Sequence, residues 1–196
     1  MKKKKMMFTE NCHFNFTGEV FIKIGKDLKH DDVVNNPDRH LKNIIVDSAS
    51  LLLARWANQT TSPASFVSGI TYLAVGTGDP GWDPFNPPLQ TVGTTQLVTE
   101  AARVIRTNTG IPFVDPNTFI NQATPPTWIV DFEFTFPGGL GGLDAILVEM
   151  GLFGGDASGT ANSGTMFNYL TFSAISKPAN AEMALVWRIN FLPQGI

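Results

Sequence analysis

The chain has 196 residues, a single cysteine, 14 basic and 17 acidic side chains, and a formal net charge of −3. Charged residues are 16% of it, against about a quarter in an ordinary soluble domain, and the 18 glycines and 13 prolines together equal them in number. The balance excludes a general basic footprint for nucleic acid. The lone Cys12 excludes an intrachain disulfide and a multi-thiolate metal site. Abundant Gly, Pro and Phe argue against a helical bundle and for short strands joined by turns.

The first segment, 1–15, reads as an irregular N-terminal arm. Its basic run, Lys2 to Lys5, is followed by Met6-Met7-Phe8 and then by Thr9-Glu10-Asn11. That is shorter than the roughly 7–15 apolar residues of a secretory signal. No apolar run reaches the roughly 18 residues of a membrane helix.

Gly18 to Ile24 alternates, with Val20, Ile22 and Ile24 on one face, as a half-buried strand does. The polar stretch Gly25 to Arg39 reads as a long turn, and Leu41 to Val46 as a second strand paired with the first. A helix is expected over Ser48 to Asn58, capped by Asp47 or Ser48 and free of Gly and Pro. Ile70 to Gly76 is the next strand. The loop 77–93 carries four prolines, which fix φ and lack an N–H, so it cannot be a central strand. Loops of that length are usually functional. Thr95 to Ala102 reads as a short helix or as the approach to a strand over Arg103 to Thr107, and 110–126 as a second proline-rich loop.

The C-terminal half is clearer. Trp128, Val130, Phe132, Phe134 and Phe136 share one strand face, and Asp131 and Glu133 the other, where alternating solvent-facing carboxylates are the ordinary reading. Segment 137–142 must turn. Asp144 to Phe153 and Met166 to Ala174 are strands separated by the small-residue loop Gly154 to Gly164. The last strand, Glu182 to Phe191, points Met183, Leu185, Trp187, Ile189 and Phe191 inward and Glu182, Arg188 and Asn190 outward. The expected fold is mainly β: an antiparallel, jelly-roll-like β-sandwich of about seven to eight strands with one packed α-helix, a single domain over 16–196.

Chemical motifs are sparse. Cys12 and His13 are sequence neighbours, which does not give the facing side chains of a nucleophile–base pair. Gly76-Thr77-Gly78-Asp79 lacks the Gly-Lys-Ser/Thr of a phosphate loop. Asp79 with Asp83, or Asp156 with Asn162 and Ser163, has no calcium-loop spacing. No catalytic residue, cofactor or metal is therefore expected. Glu149, the one charge inside an apolar strand, either points outward on an edge or, if buried, needs a partner: Arg103, Arg188, another internal group or a neighbouring subunit. Trp82, Asp83 and Phe85 on loop 77–93, Phe113 on loop 110–126, and Glu149 are the candidate interface residues. Exposed loop aromatics suit a partner's pocket or a sugar-stacking platform.

Several short segments occur in a recognisable order. They are Lys42-Asn43-Ile44-Ile45-Val46-Asp47, Leu51-Leu52-Leu53-Ala54-Arg55, and Tyr72-Leu73-Ala74-Val75-Gly76-Thr77-Gly78. Leu97 to Arg103 and Trp128 to Phe136 follow. Val148-Glu149-Met150-Gly151-Leu152-Phe153-Gly154, Gly164-Thr165-Met166 and Leu185-Val186-Trp187-Arg188-Ile189-Asn190-Phe191 complete the order. Over roughly 41–192 the chain resembles small virion structural proteins of tailed bacteriophages, of the tail-fibre-like, baseplate or neck group. It departs from them in having Ser48-Ala49 where a glycine follows the Ile-Val pair, and in an expanded 110–126 loop. The resemblance implies assembly and transfers no catalytic residue. It implies other virion proteins as partners, a homo-oligomer of threefold or sixfold symmetry, and a place in the virion after assembly in the bacterial cytoplasm. A capsid decoration or head-fibre protein, and a carbohydrate-binding module taking host glycans, are the alternatives.

Overall fold

Alternating apolar side chains bury one face of a strand and leave its backbone to pair sideways, so such segments condense into sheets. In a computed structural model of the chain, residues 17–49, 53, 68–107, 113–118, 121–122, 127–139 and 142–191 are described. Their strands are β1 (Thr17–Gly25), β2 (Arg39–Ile45), β3 (Ser68–Gly76), β4 (Glu100–Ile105), β5 (Phe113–Val114), β6 (Asn121–Gln122), β7 (Ile129–Phe136), β8 (Ala145–Gly155), β9 (Thr165–Lys177) and β10 (Glu182–Asn190). A short helix, α1 (His30–Asn35), joins β1 to β2.

The strands form one antiparallel sheet in the order β4-β3-β8-β9-β2-β1-β10-β7-β5-β6. β2 belongs to both halves: its first part pairs with β1, and Ile44 and Ile45 pair with Tyr169 and Asn168 of β9. The sheet curls until the end of β4 meets β7, where the Thr107 N–H and hydroxyl both donate to the Glu133 carbonyl at 2.8 and 3.0 Å. One core fills the curl. Val20, Ile22, Leu73, Phe134, Phe136, Phe167, Leu185 and Trp187 meet there from both halves. Burying each such side chain is worth about 1.5–3 kcal/mol.

The antiparallel, mainly β character agrees with the sequence expectation, as do the inward residues of β10 from Met183 to Ile189. Three details differ. Ten strands are present among the described residues, because the expected loop 110–126 contains the two-residue strands β5 and β6. The 25–39 stretch is not all turn. In it, the Lys29 N–H donates to the Asp32 carboxylate at 3.1 Å, half of a capping box, and α1 follows. The layers are one continuous curled sheet, because β2 hydrogen-bonds to both halves. Of the helix expected over 48–58, Ser48, Ala49 and Leu53 are helical, and Ala49 and Leu53 pack on the core. The rest of it, the N-terminal arm 1–15, Cys12 and His13 lie outside the described residues. No helix among the described residues is long and apolar enough to cross a membrane.

The outer face carries two smaller clusters. Val33 of α1 packs with Phe21, Ala184 and Val186. Leu97 packs with Val46, Ala74, Phe153, Met166 and Tyr169. The second cluster builds the candidate site.

Candidate interaction surface

β3 and β4 are antiparallel neighbours, which a turn of 2–5 residues could join. Residues 77–99 join them instead, a connection far longer than the pairing requires. Its neck is closed by Thr77 N–H donating to the Thr99 carbonyl at 3.0 Å and by Glu149. A register irregularity of β8 against β9 falls between Leu147 and Glu149, so Leu147 stays in the core while Glu149, two residues on, turns to the outer face under the neck, where it is fully buried. One carboxylate oxygen accepts the N–H groups of Thr99 (2.9 Å) and Gly78 (3.2 Å). The other accepts the Val98 N–H (3.1 Å) and the Tyr169 hydroxyl (2.7 Å). A buried anion tolerates its loss of water when four donors replace it. Burial, and the carboxylate beside it, push the Tyr169 phenol well above its ordinary value. Gly76 permits the approach, since a Cβ there would sit 2.5 Å from both the Glu149 carboxylate and the Thr99 carbonyl.

The body of the loop is fastened as well. β9 pairs with β2 only at Asn168 and Tyr169, so its later edge would otherwise present open backbone groups. The Pro84 carbonyl accepts Ala174 N–H (2.7 Å), and the Pro88 carbonyl accepts the Thr171 hydroxyl (2.7 Å). The Val92 carbonyl accepts Asp47 N–H (2.8 Å), and Leu97 is fully buried beneath. Within the loop, Asp79 accepts Gly81 N–H (2.7 Å) and Asp83 accepts Phe85 N–H (2.9 Å), side-chain turns typical of aspartate.

The pinned loop holds apolar side chains in water. Phe85 is 77% exposed and Leu89 88%, with Val92 and Val98 each about half exposed at 54% and 51%. Trp82 is half-buried: its ring lies against Gly78, where a Cβ would meet it at 2.5 Å, and beside Val148. Of the candidate residues, the fold brings Trp82, Asp83, Phe85 and Glu149 into one unit. Phe113 is elsewhere, on β5 opposite Val130, partly buried against the main core. Glu149 meets neither Arg103 nor Arg188. Arg103 is held by Glu100 (2.6 and 2.8 Å) and ties down the 156–164 loop through Ser158 and Ser163. Sequence reasoning missed Leu89, Leu97 and Tyr169. For Tyr169, alternation from the core-facing Phe167 points into the core, and the register irregularity of β8 and β9 beside Phe167 turns it to the outer face instead.

A second polar cluster lies under α1. Arg188 grips Asp131 with two bonds of 2.8 Å, and His30 Nε2 stands 3.0 Å from the same carboxylate. Asp131 is fully buried and Arg188 is 8% exposed, so the expectation of a solvent-facing Asp131 and an outward Arg188 is corrected: α1 and Phe21 cover that face. Burial opposes the Asp131 charge, but Arg188 and His30 outweigh it and hold the carboxyl below its ordinary value. Burial likewise opposes a charged His30. Its bonds to Asp131 and Asp31, with the nearby Glu133, outweigh that and raise its pKa. In this cluster the His30–Asp131 contact links α1 to the sheet, and the Arg188–Asp131 pair ties β10 to β7 beneath it.

Among the described residues, no three His, Cys, Asp or Glu side chains are grouped to hold a metal. No protein-family model matches the chain, and no curated protein is similar to it.

Proposed function

We propose that the chain is a non-enzymatic structural component of a tailed-phage virion. On this reading it docks in the tail, baseplate or neck, or adapts a fibre there, as one subunit of a threefold or sixfold ring. The two arms of its curled sheet act as the layers of a jelly-roll-like sandwich facing one core. The observation that carries the reading is the 77–99 loop: a proline-rich segment fastened along its length that nonetheless holds Phe85 and Leu89 in water. An apolar surface that is rigid before contact loses little conformational entropy on docking, which suits permanent assembly. The low charge of the chain and the resemblance over 41–192 point the same way.

A sugar platform is less well served, because Trp82 is half-buried, with its ring against Gly78. Deleting the gene is expected to give incomplete particles, with antibody-labelled electron microscopy locating the chain on the tail. Complete, infectious particles without the protein would contradict the proposal.

A further inference from the structure

The 77–99 loop has a chemical complement within the same chain. Between Thr77 and Thr99 there is no Lys, Arg or His, while Asp79 and Asp83 are both exposed. Asp47, also exposed, adds a third carboxylate at the far end, where its N–H meets the Val92 carbonyl. The segment therefore exposes four apolar side chains, Phe85, Leu89, Val92 and Val98, and the only charges of its own are negative. The sequence holds one segment of matching pattern: Lys2-Lys3-Lys4-Lys5 followed at once by Met6-Met7-Phe8. Four ammonium groups match the carboxylates. Two flexible methionines and a phenylalanine suit an irregular apolar surface.

We infer that the 77–99 loop is the docking site for residues 2–8 of a neighbouring copy of the chain. This deepens the assembly reading and rests on it, since it supplies the contact by which identical subunits link. Residues 9–16 link residues 2–8 to β1, and eight residues can extend to about 26 Å at roughly 3.3 Å each. The far end of the loop is also near the root of the arm. Gly18 pairs with Asn43, and Asp47, which holds Val92, is four residues further along. An arm emerging there can cross to an adjoining subunit. Exchange of arms in one direction around a ring makes a head-to-tail contact that closes on itself.

The test uses the full-length chain in analytical ultracentrifugation at low and high salt. Wild type is expected to self-associate, with affinity falling as salt screens the lysines. D79N/D83N keeps both side-chain turns, because asparagine also accepts from the backbone, yet removes two charges. K2S/K3S/K4S/K5S removes the basic run. Each is expected to weaken association about tenfold or more. Combined, they should lose less than the product of the two losses, because both remove one contact. F85S/L89S should abolish association while circular dichroism shows an unchanged fold. A monomeric wild-type chain would overturn the inference, even if gene deletion still leaves particles incomplete. So would arm and loop variants whose losses multiply independently.

Discussion

The Tyr169 hydroxyl donates to the Glu149 carboxylate at 2.7 Å across neighbouring strands, and that pair is the floor of the 77–99 loop. The same carboxylate takes three backbone N–H groups from the loop's neck, so side chains of β8 and β9 fix a surface segment in place. The loop's exposed residues are held at defined positions by a buried charge.

Glu149→Gln keeps the volume but replaces one acceptor oxygen with an amide that faces N–H donors. The variant is expected to lose about 3 kcal/mol, since buried donors are left unmet. Tyr169→Phe leaves the three N–H bonds and should lose about 1.5 kcal/mol. Urea unfolding measures both. Limited proteolysis should show cleavage between residues 77 and 99 appearing first in the Glu149 variant.

Gly78 sits at φ +69°, a left-handed conformation that side chains disfavour, with Trp82 stacked over it. Gly78→Ala meets both the backbone penalty and the indole, and about 2 kcal/mol of destabilisation is expected. The near-ultraviolet circular dichroism of Trp82 should change with it. A spectrum and stability equal to wild type would show that the ring does not rest there.

Breaking the Asp131–Arg188 pair from one side leaves a buried charge short of its strongest partner. Arg188→Met should cost about 3–5 kcal/mol, while D131L/R188M, which removes both charges, should recover most of it. Thermal denaturation of the two variants separates a paired role from simple packing.

The same cluster sets a pH dependence. His30 has its folded pKa raised above the ordinary 6.5, so its contribution is fully present below that value and is lost as pH rises through the raised one. Asp131 is depressed below 3.8, so its contribution is present above that value and fades as pH falls through the lowered one. Amide exchange within α1 should therefore speed up as pH rises from 6.5 through the raised His30 value, beyond the intrinsic increase. His30→Gln should remove that extra acceleration.

Much of the sheet was legible because its strands obey a two-residue period. β7 and β10 bury Phe134, Phe136, Leu185 and Trp187 where alternation placed them. The short helix α1 was not, because six mostly polar residues carry no helical stripe. Its one buried side chain, Val33, is stabilised by Phe21 and Val186 from distant strands. That omission explains the error at Asp131: alternation gave its face correctly, but the cover over that face was invisible. Glu149 was recognisable as a charge that, if buried, would need partners. Those partners are largely backbone N–H groups, which every non-proline residue has and which leave no mark in a sequence. The candidate aromatics Trp82 and Phe85 were legible from their proline-rich setting. Leu89 and the aspartate-built turns that present them became visible only once the loop was folded onto β9.

The central claim is that the 77–99 loop joins this protein to its neighbours in a virion. The most direct measurement is the amount of the protein in purified particles from phage whose only copy carries F85D/L89D, with the variant first shown to be folded and soluble in the infected cell. The account predicts particles depleted of the protein and incomplete at the tail. Complete particles carrying the variant at the wild-type level would contradict it.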